Sequence, residues 1–372
     1  MTTEPSAPPP ASSGAPSALP VRRTQRPHRA AVLEDAVARA VLRFWRRRGW
    51  RSRVQPFTGY GTNGWVRVLA RVVVAPPGTT AAQDAREAAR PALRGWRSYL
   101  TVEVPHAVVT VTVGSVTHEV SADRGGYVDA VLPADLPPGR ATVRVAAGDA
   151  AVAAPVLVLG PEPQVALLSD IDDTVMVTVL PRPLVAAWNA LVLHENARRV
   201  VPGMAELYRR WGAAHPGAAT FYLSTGAWNA APALERFLAR HGYPEGPLLL
   251  TDWGPTNAGW FRSGPEHKRT SLDRLMGELP QVRWVLVGDD GQHDPEVYRA
   301  AARTHPGRVA AIAIRQLTPT EQLLAHGTPV PENPAPAPGR PAASDPAAPD
   351  VPTVHGADGH ELTVRLLDAD LL

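Results

Sequence analysis

The sequence predicts an α/β fold, with a Rossmann-like parallel-sheet domain preceded by a small β-sandwich domain. From Gln164 onward, apolar strand-like runs alternate with helical patterns, which is typical of a parallel sheet covered on both faces. Between residues 54 and 160, short runs rich in Val and Thr are separated by Gly, Pro and Asp, as in a sandwich. The predicted organisation is a disordered segment over 1–29, a basic helix and β-sandwich over 30–160, the parallel-sheet domain over 161–326, and a mostly disordered Pro/Ala-rich tail over 327–372.

Composition narrows the class of protein. The chain of 372 residues has no cysteine, which excludes disulfides and thiolate metal sites. It shows no charged-then-apolar leader and no apolar run of the roughly 18–20 residues that a membrane span requires, so we expect a cytoplasmic location, with peripheral membrane contact left open. The cationic side chains are almost all arginine, and Lys268 is the only lysine. A lysine retained in such a chain indicates a position where a guanidinium would not serve.

The first predicted helix, residues 31–48, is basic and amphipathic. Apolar residues recur at helical spacing at Leu33, Val37, Val41 and Phe44/Trp45, and the arginines lie largely on the other faces. One interpretation is a helix that lies on an anionic membrane surface; the other is a helix docked on its own protein with a solvated arginine face. No recognised nucleic-acid-binding motif accompanies the arginines, so we expect no nucleic-acid partner.

The β-rich region contains seven predicted strands. They cover residues 65–74, 98–104, 108–113, 117–121, 127–132, 141–146 and 152–159. The glycines of the run Gly59-Tyr60-Gly61 are interpreted as turn residues. This region contains no pattern that indicates catalysis.

The second domain is predicted to contain five strands, at 165–169, 220–224, 247–251, 282–287 and 309–314. Its predicted helices cover residues 203–214, 230–241, 268–279 and 295–304. In such sheets, ligand-binding and catalytic residues lie at the carboxyl ends of the strands. The additional residues 175–201, between the first strand and Pro202, are predicted to form a small lid or cap.

An acidic run ends the first of these strands. The apolar residues 165–168 lead directly into Ser169-Asp170-Ile171-Asp172-Asp173-Thr174. Carboxylates this close together repel, and each raises the pKa of the next unless a cation lies among them. The pattern Asp-x-Asp-x-Thr therefore indicates a metal site and phosphate chemistry.

Polar residues also follow the neighbouring strands. The candidates for binding a phosphoryl group are Thr174, Ser224, Thr225, Asn229 and Lys268. The candidates for holding a metal are Asp170, Asp172, Asp289, Asp290 and Asp294. The spacing leaves open whether Asp290 or Asp294 accompanies Asp289, because either one can instead cap the helix that follows.

The residue types match the needs of phosphomonoester hydrolysis. That reaction needs an in-line nucleophile, a proton donor for the leaving alkoxide, and cations around the phosphoryl oxygens. Asp170 is the predicted nucleophile, which forms an aspartyl-phosphate, and Asp172 is the predicted general acid and base. Mg²⁺ is the predicted cofactor, because a small hard cation prefers carboxylate oxygens and water.

These motifs, in this order, resemble those of the haloacid dehalogenase-like phosphohydrolases. The sequence is more specifically similar to the Mg²⁺-dependent phosphatidate phosphatases of the fungal actin-patch type, and particularly to their bacterial relatives. The similar segments are Ser169–Thr174, Val201–Tyr208, Trp228-Asn229, His267-Lys268 and Gly288–Asp294. The resemblance implies hydrolysis of phosphatidate to diacylglycerol and phosphate. One departure bears on the substrate: residues 226–231 keep the Trp but lack the Ser, Pro and Tyr that fungal members have there.

The sequence thus supports one main function and two alternatives. The main function is a Mg²⁺-dependent phosphatase of phosphatidate or a related lipid phosphate, and the lipid is implied by the resemblance alone. The alternatives are a phosphatase of small soluble phosphomonoesters and a non-catalytic module that binds phosphate or a partner. An intact acid at Asp172 argues against the non-catalytic module.

Overall fold

The structure, a computed structural model, describes residues 40–75, 102–148, 150–177, 199–251, 264–291, 293–326 and 351–372. These residues form an eight-stranded sheet, a two-stranded ribbon and a six-stranded sheet. Residues 1–29 and 327–350, which are predicted to be disordered, lie outside the described residues. Within the described part of the chain, no helix combines the length and hydropathy that crossing a bilayer requires.

The first sheet is formed by the region predicted to be a sandwich. Its strands are β1 Arg51–Thr62, β2 Trp65–Ala75, β3 Val102–Glu103, β4 Val108–Val113, β5 Val116–Ser121, β6 Tyr127–Pro133, β7 Gly139–Ala147 and β8 Ala150–Leu159. They pair in the order β3-β2-β1-β8-β7-β4-β5, and β6 also pairs with β2. A parallel pairing of β1 with β8 joins the two halves. The strands form one connected sheet, so the predicted small β-sandwich is not confirmed.

One face of this sheet forms the core of the first domain. Val66 and Val72 of β2 belong to the same buried cluster as Val111 of β4, Val145 of β7 and Val156 of β8. Strands from both halves of the sheet therefore contribute to one buried core.

Strand β1 differs from the sequence prediction. The glycines Gly59 and Gly61 lie within this strand, so their interpretation as turn residues is wrong. A Cβ atom on Gly59 would lie 2.2 Å from the carbonyl oxygen of Arg67, and one on Gly61 would lie 2.1 Å from that of Trp65. The glycines are required by a close approach of β1 to β2, where the pairing register also shifts.

The second sheet is parallel throughout, as predicted. Its strands are β9 Gln164–Asp170, β12 Thr220–Ala227, β13 Leu248–Thr251, β14 Val282–Asp289, β15 Val309–Arg315 and β16 Thr353–Gly356, in the order β13-β12-β9-β14-β15-β16. A ribbon of β10 Met176–Val177 and β11 Arg199–Val200 frames the predicted cap. Residues 178–198 of that cap lie outside the described residues.

Helices accompany this sheet. They are α1 Met204–Ala214, α2 Ala231–Arg240, α3 Gly264–Glu278, α4 Asp294–Thr304, α5 Pro319–His326 and α6 Gly359–Asp368, with a 3₁₀ helix at Trp228–Ala230. Helix α1 is amphipathic, because its buried residues Met204, Leu207, Tyr208 and Trp211 recur on one face and pack against the core. Helix α3 begins at Gly264, one turn before the predicted start.

The end of the chain corrects the prediction of a mostly disordered tail. Strand β16 extends the sheet beside β15, and helix α6 follows it. The side chains of Leu362 and Leu366 enter the core of the parallel-sheet domain. Asp358 caps α6 by accepting hydrogen bonds from the backbone N–H groups of His360 and Glu361. The segment folds because the existing sheet edge supplies the core that it lacks by itself.

The two domains share a buried interface. The rings of Phe57 and Trp228 pack at 4.8 Å, and those of Tyr60 and Phe221 at 5.4 Å. Arg67, which is buried, forms ion pairs with both Asp129 and Glu278. The β-domain therefore reaches the segment that follows β12, next to the functional edge of the parallel sheet.

Candidate active site

The carboxyl edge of the parallel sheet brings together residues that the sequence separates by more than a hundred positions. Strand β9 lies between β12 and β14, with Asp170 opposite Leu223 and Ser169 opposite Val287. Side chains that follow these three strands therefore meet at one edge. This is the arrangement expected of a functional site in a parallel α/β sheet.

Three carboxylates form a compact buried cluster at this edge. One oxygen from each of Asp170, Asp289 and Asp294 lies within 4.8 Å of the other two. Asp170 ends β9, Asp289 ends β14, and Asp294 begins α4, and each is at most 1% exposed. The structure thus places three of the five predicted metal ligands together.

The only lysine lies against this cluster. Lys268 Nζ is 2.7 Å from Asp170 Oδ1 and 2.5 Å from Asp294 Oδ1, and the residue is 2% exposed. A compact ammonium can contact both carboxylates from one point, which a planar guanidinium would do less well. The unusual choice of lysine in this chain therefore corresponds to a crowded ionic site.

Burial dominates the ionisation of these groups. It raises the pKa of Asp170 well above its ordinary value; Lys268 opposes the rise, and the carboxylates of Asp294 and Asp172 add to it. Burial also raises the pKa of Asp289, with Asp294 and Asp170 adding to the effect. Burial lowers the pKa of Lys268, but the carboxylates around it outweigh burial and hold that pKa above its ordinary value. One fixed positive charge thus faces three carboxylates.

The remaining oxygens of the cluster lack donors. Asp170 Oδ2, Asp289 Oδ2 and Asp294 Oδ2 are buried, and no group in the described part of the chain donates a hydrogen bond to them. Buried carboxylate oxygens without partners cost free energy, which a cation bound between them would offset. Three carboxylates with excess negative charge and unpartnered oxygens fit a hard divalent cation.

The second aspartate of the acidic run contacts the strand next to it. Ser224 Oγ donates to Asp172 Oδ2 at 2.8 Å, and the backbone N–H of Gly226 donates to Ser224 Oγ at 2.9 Å. Asp172 Oδ1 is buried and accepts no hydrogen bond from the described residues. One oxygen of Asp172 is therefore held in place, while the other has no hydrogen-bond partner among the described residues.

The other predicted phosphate-binding residues lie around this pair. Thr174 Oγ1 is buried and has no hydrogen-bond partner among the described residues. Thr225 is half-buried, and its carbonyl oxygen accepts a hydrogen bond from Thr251 Oγ1. Asn229 lies in the 3₁₀ helix after β12 and is also half-buried. These three residues remain candidates for contacts with a phosphoryl group.

The structure distinguishes the two aspartates that the spacing left open. Asp290 Oδ1 accepts a hydrogen bond from the backbone N–H of Leu317 at 2.8 Å, in the segment after β15. Asp290 is not part of the three-carboxylate cluster, whereas Asp294 is. A polar residue in the loop after a strand can serve either purpose, so spacing alone could not separate them.

One buried residue near the site was not predicted. Arg315 Nη1 donates to the backbone carbonyl oxygen of Asp173 at 2.7 Å. Asp173 has a φ of 57°, in the left-handed region that non-glycine residues seldom adopt. Since Arg315 is one of many arginines and contacts backbone here, no side-chain motif could have indicated it.

Comparison with known proteins adds an independent line of evidence. Residues 165–316 match the family model described as "Phosphatidate phosphatase APP1, catalytic domain". This part of the chain is therefore similar to the APP1 catalytic domain. The match includes every predicted site residue and confirms the resemblance inferred from the motifs.

Two curated proteins are similar to this domain. Phosphatidate phosphatase APP1 of Saccharomyces cerevisiae is 27% identical over 154 residues, which is 41% of this chain and 26% of the relative. An uncharacterized protein of Schizosaccharomyces pombe is 26% identical over 155 residues, which is 41% of this chain and 25% of the relative. The aligned part thus spans about a quarter of the curated relatives it matches.

A solved structure can also be compared. The HAD domain of effector protein Lem4 from Legionella pneumophila is 17% identical, with a TM-score of 0.28, and the comparison covers 42% of this chain and 88% of that one.

Proposed function

We propose that this chain is a phosphatase that hydrolyses a phosphomonoester through an aspartyl-phosphate, with phosphatidate or a related lipid phosphate as substrate. The observation that supports it best is the buried Asp170, which is paired with Lys268 through one oxygen and whose other oxygen has no partner among the described residues. The similarity to the yeast phosphatidate phosphatase supports both the reaction and the lipid.

In the first half-reaction Asp170 is the nucleophile. Its Oδ2 attacks phosphorus, and the bond from phosphorus to the substrate's alkyl oxygen breaks. The leaving alkoxide takes a proton from Asp172, whose Oδ1 has no partner among the described residues while Ser224 holds Oδ2. Lys268 opposes the rise in the pKa of Asp170 that burial causes, and so favours the carboxylate form that attacks.

In the second half-reaction water releases the phosphate. Asp172 takes a proton from water, and the water oxygen forms a bond to phosphorus as the bond to Asp170 breaks. Inorganic phosphate leaves, Asp170 returns as a carboxylate, and Asp172 is protonated again. The same residue therefore acts first as general acid and then as general base, as in other two-step displacements through a covalent intermediate.

The proposed cofactor is Mg²⁺, held by Asp170, Asp289 and Asp294. When bound, the cation would reduce the repulsion between an anionic nucleophile and an anionic phosphate. Lys268 alone leaves the cluster with excess negative charge, which is the reason for including a cation in the proposal.

Phosphate release tests the function directly. Purified full-length protein with Mg²⁺ is offered phosphatidate in mixed micelles and, in parallel, glycerol 3-phosphate, which has the same phosphomonoester without acyl chains. We expect release from phosphatidate. Turnover of soluble esters alone would exclude the lipid assignment and support the soluble-substrate alternative, whereas release from neither would exclude the enzyme and leave the non-catalytic module.

Mg²⁺ is expected to raise the melting temperature of the wild-type protein, and EDTA should reverse the change. A cation at about 100 times its Kd stabilises the folded state by about 2.7 kcal/mol. Protons compete for carboxylates whose pKa is raised, so the shift should be larger at about pH 8 than at about pH 6. Calorimetric melting curves at both pH values provide the measurement.

A matched pair of variants locates the cation. Asp294→Asn should remove most of the Mg²⁺-induced shift, because it neutralises a member of the cluster. Asp290→Asn should keep the shift, because an amide oxygen can still accept the hydrogen bond from Leu317. The opposite ranking would show that Asp290 holds the cation.

We also propose that the amino-terminal helix contacts anionic membranes. Residues 40–47 of the predicted helix are described and helical. Leu42 is buried in the core of the β-domain, which agrees with a helix docked on its own protein. The opposite side presents Phe44, 48% exposed, with the exposed Arg43 and Arg47 beside it. An exposed aromatic ring among arginines suits the boundary between lipid headgroups and acyl chains.

Vesicle sedimentation of full-length protein tests this surface. Changing Arg43 and Arg47 to glutamate is expected to lower binding to vesicles that contain phosphatidylserine by roughly a hundredfold or more, since each nearby arginine contributes about 1 kcal/mol and each change reverses a charge. Vesicles of phosphatidylcholine alone serve as the control. Unchanged binding of the variant to the anionic vesicles would exclude this membrane contact.

A further inference from the structure

A buried arginine connects the acidic run to the carboxyl-terminal segment of the chain. Arg315, the last residue of β15, is 4% exposed. Its Nη1 donates to the carbonyl oxygen of Asp173 at 2.7 Å, its Nη2 to Glu321 Oε1 at 2.7 Å, and its Nε to the carbonyl oxygen of Ala357 at 3.2 Å. Each partner lies on a different part of the chain.

The contact to Asp173 falls at a sensitive point of the backbone. Asp173 adopts a left-handed conformation directly after Asp172, the proposed acid and base. The turn is closed by hydrogen bonds from the backbone N–H groups of Val175 and Met176 to the carbonyl oxygen of Ile171. A left-handed residue persists where its surroundings determine it, and the guanidinium of Arg315 is one such constraint.

Arg315 also stabilises the neighbouring loop through its own backbone. It lies opposite Asp289 in the parallel pairing of β14 with β15, and its carbonyl oxygen accepts a hydrogen bond from the N–H of Asp290 at 3.0 Å. The residue thus touches both acidic loops. It is not part of the carboxylate cluster, so its effect on the chemistry must pass through the groups that it positions.

The third partner belongs to a segment outside the family match. Ala357 follows β16. Strand β16 pairs with β15, and in this pairing Gly356 lies opposite Arg315. The segment is also attached at α6, where the N–H of Gly359 donates to the carbonyl oxygen of Pro202 at 2.9 Å. A Cβ atom on Gly359 would lie 2.2 Å from the backbone of Gly203, so this contact admits no side chain.

We infer that Arg315 is a positioning residue for Asp172, and that through it the proposed phosphatase activity depends on the docked carboxyl-terminal segment 351–372. The inference rests on the proposed function for its effect on turnover. The planar guanidinium donates in three directions at once, which a lysine cannot reproduce. Loss of the contact would let the peptide after Asp172 move and misplace the carboxyl that transfers the proton.

The chain offers a close control for Arg315. Arg308 precedes β15 at the opposite edge of the sheet, and its guanidinium donates to the carbonyl oxygens of Leu279 and Pro280. Arg308→Ala therefore also removes hydrogen bonds to backbone carbonyls, but far from the acidic run. We expect both Arg315→Ala and Arg308→Ala to lower the melting temperature, and only Arg315→Ala to change the site.

Steady-state kinetics and hydrogen exchange of the full-chain variants test whether Arg315 positions Asp172. Per folded molecule, Arg315→Ala should lower kcat by about tenfold to a hundredfold with KM changed less than about threefold, and added guanidinium should restore part of kcat in a saturable way. Hydrogen exchange of the peptide covering 170–176 should become faster than in Arg308→Ala. Wild-type kcat in folded Arg315→Ala, or guanidinium rescue that is absent, would overturn the positioning role.

The exchange readout separates this inference from the proposed function. If the wild-type protein releases no phosphate from any substrate, the proposed function fails, and exchange over 170–176 still shows whether Arg315 holds the run. Equal exchange in Arg315→Ala and Arg308→Ala overturns the inference whatever the activity.

For the carboxyl-terminal segment, Gly359→Ala should speed exchange over 170–176 and lower kcat. Gly212→Ala, where a Cβ atom meets nothing within 4 Å, should do neither, and equal behaviour of the two variants would overturn the link.

Discussion

Replacing Asp170 by asparagine is expected to lower kcat for phosphomonoester hydrolysis by about a thousandfold or more. The amide has nearly the same shape but cannot attack phosphorus to form an acyl-phosphate, so the two-step route is lost. Asp170 is 1% exposed and has one oxygen without a partner among the described residues, which matches a nucleophile held ready. Initial rates of phosphate release, with circular dichroism to confirm folding, provide the measurement.

Asp173→Asn is the matched control for this experiment. It makes the same chemical change three positions away in the same acidic run. Asparagine tolerates the left-handed conformation of Asp173 about as well as aspartate, so the backbone should be preserved. We expect Asp173→Asn to retain most of the activity. Substantial turnover by Asp170→Asn would show that another group attacks phosphorus, and mass spectrometry of acid-quenched wild-type enzyme should find the phosphoryl group on Asp170.

Replacing Lys268 by methionine is expected to abolish activity and to destabilise the metal-free protein by about 3–5 kcal/mol. The side chain is buried and paired with Asp170 and Asp294, and removal of one partner from a buried ion pair leaves uncompensated charge. Without Lys268 the pKa of Asp170, already raised by burial, should rise further. Urea unfolding curves with and without Mg²⁺ measure the stability.

The pH dependence of this variant has a defined sign. Carboxyl groups whose pKa is raised in the folded state bind more protons there than in the unfolded chain, so stability falls as pH rises above the unfolded value. Metal-free Lys268→Met should therefore gain stability as the pH is lowered from about 8 toward about 5, more steeply than the wild type.

Two further variants complete the experiment on Lys268. Arg269→Met removes the neighbouring exposed cation and should leave stability and activity within a small range of the wild type. Lys268→Arg keeps the charge but introduces a planar group between two carboxylates, and should lose activity while it loses less stability than the methionine variant. A fully active Lys268→Arg would contradict the argument from crowding.

The alternation of strands and helices from Gln164 onward could be predicted from the sequence, because burial on a parallel sheet leaves a local pattern. Strand β9 is a short apolar run, and α1 buries residues at helical spacing. Strand β1 was missed because its glycines are also typical of turns, and only its close approach to β2 explains them. The end of the chain was missed because β16 and α6 depend on a sheet edge supplied by residues far away in sequence.

The candidate site also combines residues that the sequence indicates with residues that only the structure identifies. Asp170, Asp172, Ser224, Lys268 and Asp289 could be selected from the sequence, because the chemistry requires their residue types at the ends of recognisable strands. The family match over 165–316 includes all five of these positions. Asp290 and Asp294 could not be separated, because loop residues of one type differ only in which neighbours they meet.

The sequence by itself determined the parallel-sheet domain, the residue types at its carboxyl edge and the resemblance of that domain to a known family. Only the tertiary structure decided that Asp294 rather than Asp290 joins the cluster, that the strands of the β-domain form one connected sheet, and that Arg315 contacts both the acidic run and the carboxyl-terminal segment. The physical reason is the range of the interactions. Periodicity and strand ends are local properties of the chain, whereas an arginine that donates to backbone carbonyls depends on distances between segments that no spacing encodes.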